Sequence, residues 1–144
     1  MSDSTERLNA LLRGEISAVE TYKQVLDRTG SAEIINALLT CQNDHLRRVE
    51  VLKSRIVQLG GTPTEASGIW GAFAKLIQGG AVAFGDKAAI DVLEEGEDHG
   101  LESYKNEMPK LDSEDLRLVE TQLLPAQEQT HRVIRDLKHS MFAA

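Results

Sequence analysis

Two segments decide the fold of this chain: Gly14-Glu15-Ile16-Ser17-Ala18-Val19-Glu20-Thr21-Tyr22-Lys23 and Gly96-Glu97-Asp98-His99-Gly100-Leu101-Glu102-Ser103-Tyr104-Lys105. Both read G-E-x-x-x-x-E-[ST]-Y-K, and they lie 82 residues apart. In each segment the first glutamate and the tyrosine are in phase with apolar residues that recur every three or four positions, which is the period of one helix face. The repeat therefore predicts two similar helical hairpins that direct these side chains toward a common core.

Composition favours an all-helical protein with a single domain over residues 1–144. The chain has one tryptophan, two tyrosines, three phenylalanines and three prolines, and this balance is typical of helical domains of substantial core size. A formal net charge of −7 argues against nucleic acid or an anionic membrane as a partner. The single cysteine, Cys41, the lack of a signal-peptide pattern and the lack of a membrane-length apolar run predict a cytoplasmic protein.

Four long helices are predicted, over about 3–28, 31–59 and 86–108, with a fourth that begins near 112 or 113. Ser31 is the expected N-cap of the second helix. Pro125 lies inside the fourth helix and removes a backbone hydrogen bond, so we expect a kink or a local break there.

The connection over 61–85 predicts the topology. Short links make an antiparallel hairpin of the first and second helices and another of the third and fourth. The long connection could return along the second helix, which is ~42 Å long at ~1.5 Å per residue. We therefore expect the second and third helices to be parallel, with a short extra helix over 69–78. Trp70 and Phe73 in that helix could pack on the bundle or form a homodimer face.

A second paired feature supplies candidate metal ligands, because each repeat is followed by [Gln/Glu]-x-x-His. Residues three apart share a helix face, and carboxylate and imidazole are metal-ligand types. Several carboxylates buried together without a cation are costly, and a divalent metal would resolve that conflict. The six candidate ligands are Glu15, Gln42, His45, Glu97, Glu128 and His131.

Simpler roles are open for each residue taken alone. A single core Glu or His is more commonly a rim residue or a hydrogen-bonded core residue. Glu94 shares a face with Glu97 and is a rival ligand. Tyr22 and Tyr104 either pack in the core or hydrogen-bond to a ligating carboxylate. Arg48 lies among acidic residues, as on an ordinary solvated helix face.

Residues 15–22 resemble the first-helix E-x-x-A-x-x-x-Y of bacterioferritins. Glu128-x-x-His131 resembles their fourth-helix E-x-x-H, and Gln42-x-x-His45 is similar to their second-helix motif with Gln in place of Glu. Segments 59–63, 67–80 and 94–98 are similar to a bacterial ferritin-like family known only as a domain of unknown function. The resemblance spans nearly the whole chain and implies a ferritin-like four-helix bundle of the bacterioferritin and rubrerythrin type.

That resemblance also implies a dinuclear iron or manganese site. It places Glu15 with His45 on one metal, Glu97 with His131 on the other, and Glu128 as the bridge between them. Gln42 is neutral and a poor bridge, so the site would hold one or two ions, and the set on the third and fourth helices is the better single-metal site.

Two functions are therefore expected from the sequence. The first is a ferritin-like metal-binding protein, an oxidase or peroxidase in which iron or manganese carries the redox chemistry. The alternative is a non-catalytic helical bundle, an interaction or stress protein with a vestigial metal site. The resembled family supplies no activity that would decide between them.

Overall fold

The structure, a computed structural model, describes residues 3–66 and 85–142. Its regular elements are α1 (Asp3–Leu26), α2 (Ala32–Gln58), α3 (Asp86–Glu107), a 3-10 turn (Met108–Lys110), α4 (Ser113–Leu118), a π-helical segment (Val119–Leu123) and α5 (Leu124–Phe142). The last three elements follow one another directly and are called the fourth helix below. The prediction of an all-helical chain with four long helices is confirmed, and no strand occurs in the described ranges.

Capping residues set the ends of α2. The Ser31 hydroxyl accepts a hydrogen bond from the Ile34 amide at 3.4 Å, as the sequence predicts. Gly60, just beyond the other end, has a φ of 81°, a left-handed conformation that glycine adopts without strain. No helix in the described ranges is both long enough and apolar enough to cross a lipid bilayer.

The fourth helix departs from α-helical geometry directly before Pro125. The Leu124 amide donates to the Val119 carbonyl, five residues back, so this turn holds one more residue than an α-turn. The local break that was expected at Pro125 is therefore a π-helical segment just upstream. The π turn adds one residue to this part of the helix. The buried residues Val119, Leu123 and Gln127 are consequently spaced four residues apart.

Contacts at the two ends of the bundle fix the helix directions. At one end Thr29, just before α2, donates to Asp86 at the start of α3 at 3.1 Å. At the other end Asp115, at the start of the fourth helix, accepts from Arg55 near the end of α2 at 2.6 Å and from Ser4 at the start of α1 at 2.5 Å. Consequently α2 and α3 are parallel to each other and antiparallel to α1 and the fourth helix.

The expected long connection therefore joins opposite ends of the bundle. The short helix predicted over 69–78, with Trp70 and Phe73, lies outside the described residues. Helix α1 packs against α2 and α3, and the fourth helix packs against the same two.

Over residues 3–66 and 85–142 the core consists of two apolar clusters separated by a polar layer. The cluster near the start of α2 contains Tyr22, Leu38, Ile90, Leu93 and Ile134 among others. The cluster near its end contains Leu8, Leu12, Leu52, Ile56 and Leu123 among others. Between the clusters lie buried Glu15, His45 and Glu97, each near the middle of its helix. The bundle thus carries its candidate functional residues at its centre.

The contacts of Asp115 with Ser4 and Arg55 give a first prediction. Asp115→Ala should lower the free energy of unfolding by about 1–3 kcal/mol, because Asp115 is buried and Ser4 and Arg55 both lose their acceptor. Glu114→Ala is the matched control, since Glu114 also pairs with Arg55 but its side chain is 84 % exposed; that variant should lose less than about 1 kcal/mol. Urea denaturation of both variants measures the difference in the free energy of unfolding. Equal losses in the two variants would contradict a stabilising role for Asp115.

Candidate functional site

The His45 ring lies between two buried carboxylates at the centre of the bundle. Its Nδ1 is 2.5 Å from Glu15 Oε1, and its Nε2 is 2.7 Å from Glu97 Oε2. Since a carboxylate only accepts hydrogen bonds, both ring nitrogens act as donors and the ring is an imidazolium. His45 therefore links α1 to α3 through one charged side chain on α2.

The pKa values agree with this charge state. Burial by itself lowers the pKa of His45, but the charges of Glu15 and Glu97 outweigh it and raise that pKa to about 9. Burial raises the pKa of Glu15, yet the charges of His45 and Arg48 lower it to about 2. The pKa of Glu97 is likewise lowered, against its burial, by His45 and by hydrogen bonds. At neutral pH both carboxylates are ionised and the imidazole is protonated.

Arg48 supplies the second positive charge of the layer. Its side chain is 0 % exposed. The guanidinium donates to Glu15 Oε2 (3.1 Å), Asp44 Oδ2 (2.9 Å), Thr130 Oγ1 (2.7 Å), the Ala126 carbonyl (3.2 Å) and Gln127 Oε1. Two buried carboxylates and two buried cations thus balance, with Asp44 at the edge of the layer.

The fourth helix completes the layer with neutral groups. Gln127 Nε2 donates to Glu97 Oε1 at 3.0 Å and to the Glu97 carbonyl at 2.9 Å. The Thr130 hydroxyl donates to Glu97 Oε1 at 2.7 Å and accepts from Arg48. Gly100 allows this approach, because a Cβ there would lie 2.6 Å from Gln127 Nε2. The carboxylate of Glu97 is therefore fully hydrogen-bonded without a metal ion.

The repeated tyrosines exchange partners between the two halves of the chain. Tyr22 of the first repeat donates to Glu97 of the second at 2.5 Å, and Tyr104 of the second donates to Glu15 of the first. Burial and the adjacent carboxylates raise the pKa of both phenols well above the usual value. Of the two roles considered for these tyrosines, the structure shows hydrogen bonds to the buried glutamates.

The structure brings three of the six predicted ligands together and leaves the other three outside the layer. Glu15, His45 and Glu97 converge. Gln42 is half-buried and donates to the Val19 backbone carbonyl at 3.3 Å. Glu128 is exposed, and His131 is half-buried outside the layer, where its Nε2 contacts exposed Asp98. The expectation that Glu128 and His131 face the core is wrong, and Gln127 and Thr130 occupy those places.

Helix geometry explains the error on the fourth helix. Ile134 and Leu137 are buried, as expected. Glu128 and His131 precede Ile134 and Leu137 at a constant spacing of three residues. Each step of three residues rotates the side chain by about −60° around the helix axis at ~3.6 residues per turn. Glu128 is therefore about 180° from Leu137. Alternating steps of four and three from Ile134 lead instead to Thr130 and Gln127.

The burial of Arg48 and of Glu94 also bears on the predictions from the sequence. Arg48 was expected on a solvated face but is among the most deeply buried side chains described. Glu94 is half-buried and accepts from Lys138 at 2.9 Å, so Glu97 is the core glutamate of α3.

A signal for the missed residues was present in the repeat. The offset of 82 residues that relates Glu15 to Glu97 and Tyr22 to Tyr104 also relates His45 to Gln127 and Arg48 to Thr130. A constant offset through both hairpins would have selected the two residues that reach the layer, whereas pairing His45 with His131 required a different offset.

The converged residues do not fit a ferritin-like metal centre. The two His45 nitrogens point in opposite directions, each toward a different carboxylate, so the three residues cannot share one ion through this ring. Within the residues described, no group of three or more His, Cys, Asp or Glu side chains is arranged to hold a metal ion. Arg48 and His45 already provide the positive charge that a metal was expected to bring.

Comparison with known proteins gives a family without an activity. Residues 3–110 match the family described as a domain of unknown function (DUF2383). No curated protein and no solved structure matches. The matched range covers α1, α2, α3 and thus Glu15, His45, Arg48 and Glu97.

The ion balance gives a second prediction, for which Arg47 is the matched control. Arg48→Met should lower the free energy of unfolding by about 3–5 kcal/mol, because it leaves Glu15 buried with one cation fewer. Arg47→Met removes the same charge from the exposed face of α2 and should cost less than about 1 kcal/mol. Adding Glu15→Gln to Arg48→Met should recover part of the loss. Denaturant unfolding checks all three, and additive losses in the double variant would contradict the pairing.

The raised pKa of His45 gives a third prediction. The folded state holds the proton more tightly than the unfolded state, so His45 stabilises the fold fully below pH 6.5 and loses this contribution as pH rises toward about 9. The free energy of unfolding should fall across that interval in the wild type. His45→Gln should lack that part of the slope, whereas His139→Gln, at an exposed position, should keep it. Urea titrations between pH 6 and pH 9.5 measure the slopes, and parallel curves for wild type and His45→Gln would refute the assignment.

Proposed function

The chain belongs to the DUF2383 family, and from the geometry of its core we propose that it is a non-catalytic helical bundle that acts by binding other molecules. In this proposal the metal site of ferritin-like bundles is vestigial. The observation that carries the proposal is the fully buried Arg48 guanidinium, which contacts Glu15 in the polar layer.

Charge balance supports a metal-independent core. Glu15 and Glu97 carry two negative charges, which Arg48 and protonated His45 compensate. A divalent ion added to this layer would leave an excess of two positive charges in a region of low dielectric, where uncompensated charge is costly. A metal could therefore enter only if His45 lost its proton and Arg48 moved away.

Each oxygen of the two glutamates already accepts at least one hydrogen bond. Glu15 Oε1 accepts from His45, and Glu15 Oε2 accepts from Arg48 and Tyr104. The Glu97 oxygens accept from four groups: Thr130 and Gln127 on Oε1, and His45 and Tyr22 on Oε2. A network in which every carboxylate oxygen has a donor holds one arrangement firmly.

The reactive groups near the layer are held in unreactive states. Burial and the charge of Glu97 raise the pKa of Cys41 to about 12, so its thiol stays protonated at neutral pH and is a poor nucleophile. The neighbouring tyrosines keep their protons for the same reasons. These states suit a structural core better than a site for acid-base or nucleophilic chemistry.

The rival function is an iron- or manganese-dependent oxidase or peroxidase of the ferritin-like kind. The convergence of Glu15, His45 and Glu97 on the bundle centre favours it. It would require the hydrogen-bond network to open, with Glu128 and His131 supplying no ligand from their positions outside the layer. The two functions differ in one measurable property, the response of the folded protein to metal.

Metal addition is the fourth prediction. After chelator treatment, adding Fe(II) under anaerobic conditions, or Mn(II), should leave the melting temperature unchanged, and elemental analysis should find no bound metal. A ligand present at 100 times its dissociation constant would add about 2.7 kcal/mol to the stability, which corresponds to a rise of several degrees. Such a rise, with one or two ions per chain, would support the rival if His45→Gln removes it and His139→Gln does not.

A further inference from the structure

A cavity of about 160 Å³ lies between α1 and α3 and reaches down to the polar layer. Ser17 and Ala18 line it from α1, Gly100 and Ser103 from α3, and Glu15, His45 and Tyr104 are also part of its lining. Exposed Arg13 and His99 belong to the lining as well, so the cavity communicates with solvent at that edge.

Gly14 accounts for part of this space. A Cβ added to Gly14 would meet no heavy atom within 4 Å. The glycines with positive φ are Gly60 and Gly85 among those described, so the Gly14 backbone does not require glycine. Glycine inside a helix is less favourable than alanine. Gly14 belongs to the cavity lining, and a side chain at this position would have room without displacing a neighbour.

Ser17 supplies the polar group of the cavity wall that is open to a ligand. Its residue surface is only 3 % exposed, it lines the cavity, and no described residue forms a hydrogen bond with its hydroxyl. That hydroxyl therefore keeps its donor and acceptor capacity for a molecule in the cavity. The other buried polar side chains in the lining, Glu15, His45 and Gln127, already have partners within the polar layer.

We infer that this cavity binds a small neutral molecule, about the size of one six-membered ring, that carries a single hydroxyl or carbonyl group. Size follows from volume, since an engineered protein cavity of about 150 Å³ accommodates benzene. Neutrality follows from the buried part of the lining, where Glu15 and His45 compensate each other, while the charge of Arg13 lies at the exposed edge. The lining also includes the Tyr104 ring and aliphatic Leu11 and Ala18, against which an apolar body can pack.

This inference deepens the proposed function by naming a ligand class, and the two can fail separately. The metal response tests only the polar layer. Ligand binding tests only the cavity, and it can be measured in the full chain whether or not metal has an effect.

The fifth prediction concerns binding of phenol, benzene and benzoate to the full chain. Each compound is titrated separately, and binding is measured by ¹H–¹⁵N NMR. Phenol should cause saturable changes at the amides of Ser17, Gly100 and Ser103. Benzene should bind about three- to tenfold more weakly because it forms no hydrogen bond with Ser17, and benzoate should not bind. In Ser17→Ala the preference for phenol over benzene should disappear. Changes that grow linearly without saturation, or a preference that survives Ser17→Ala, would overturn the inference.

Variants of α1 locate the binding site. Gly14→Met places a side chain in the open space and should abolish saturable phenol binding. Glu20→Met, which adds the same side chain at an exposed position of α1, should leave binding unchanged. Gly14→Ala is a milder variant that keeps the fold, and it should weaken binding while raising the melting temperature. Equal phenol affinity in wild type and Gly14→Ala, together with saturable binding in Gly14→Met, would place the ligand elsewhere and refute the proposal.

Discussion

Two glutamates, Glu15 and Glu97, are ionised at the centre of the bundle. The surrounding side chains compensate the free-energy cost of burying their charges. Moving a carboxylate out of water costs several kcal/mol, and the cost is recovered only when opposite charge and hydrogen bonds meet every oxygen. Arg48 and His45 bring the charge, while hydroxyl and amide groups from three helices bring the hydrogen bonds. Sliding any one helix by a turn would break several of these contacts, so the polar layer fixes the register that the two apolar clusters alone would specify less tightly.

Helix positions and the inward direction of Glu15, His45 and Glu97 could be predicted because local patterns encode them. Ser31 caps α2 through its own hydroxyl, and the three core residues occupy positions within a regular three-four rhythm of apolar residues. The fourth helix is different, because its apolar positions after Pro125 are few and two spacings fit them. Successive steps of three from Leu137 lead to His131 and Glu128, whereas alternating steps of four and three from Ile134 lead to Thr130 and Gln127. The repeat offset of 82 residues favours Gln127 and Thr130.

The identity of the compensating cation could not be deduced from periodicity. The buried carboxylates imply positive charge nearby, but a divalent metal and a guanidinium satisfy that condition equally. Arg48 follows His45 by three residues and so shares its helix face. An arginine in a charged segment usually extends to solvent along its aliphatic stem, and the same sequence pattern suits both orientations. Burial of Arg48 depends on acceptors from the fourth helix, 78 to 82 residues away in the chain.

The difference between the two halves of the duplication follows from the same charge condition. The repeat relates His45 to Gln127 and Arg48 to Thr130. If both halves carried His and Arg, four cations would face two carboxylates. If both carried Gln and Thr, two carboxylates would have no cation at all. In this chain one half supplies both positive charges, from His45 and Arg48, and the other supplies the neutral donors Gln127 and Thr130, so the charges balance and the bundle is asymmetric at its centre. A metal centre would allow both halves to remain alike, because the ion itself supplies the charge, and the divergence at these two pairs therefore argues for a core that balances its own charges.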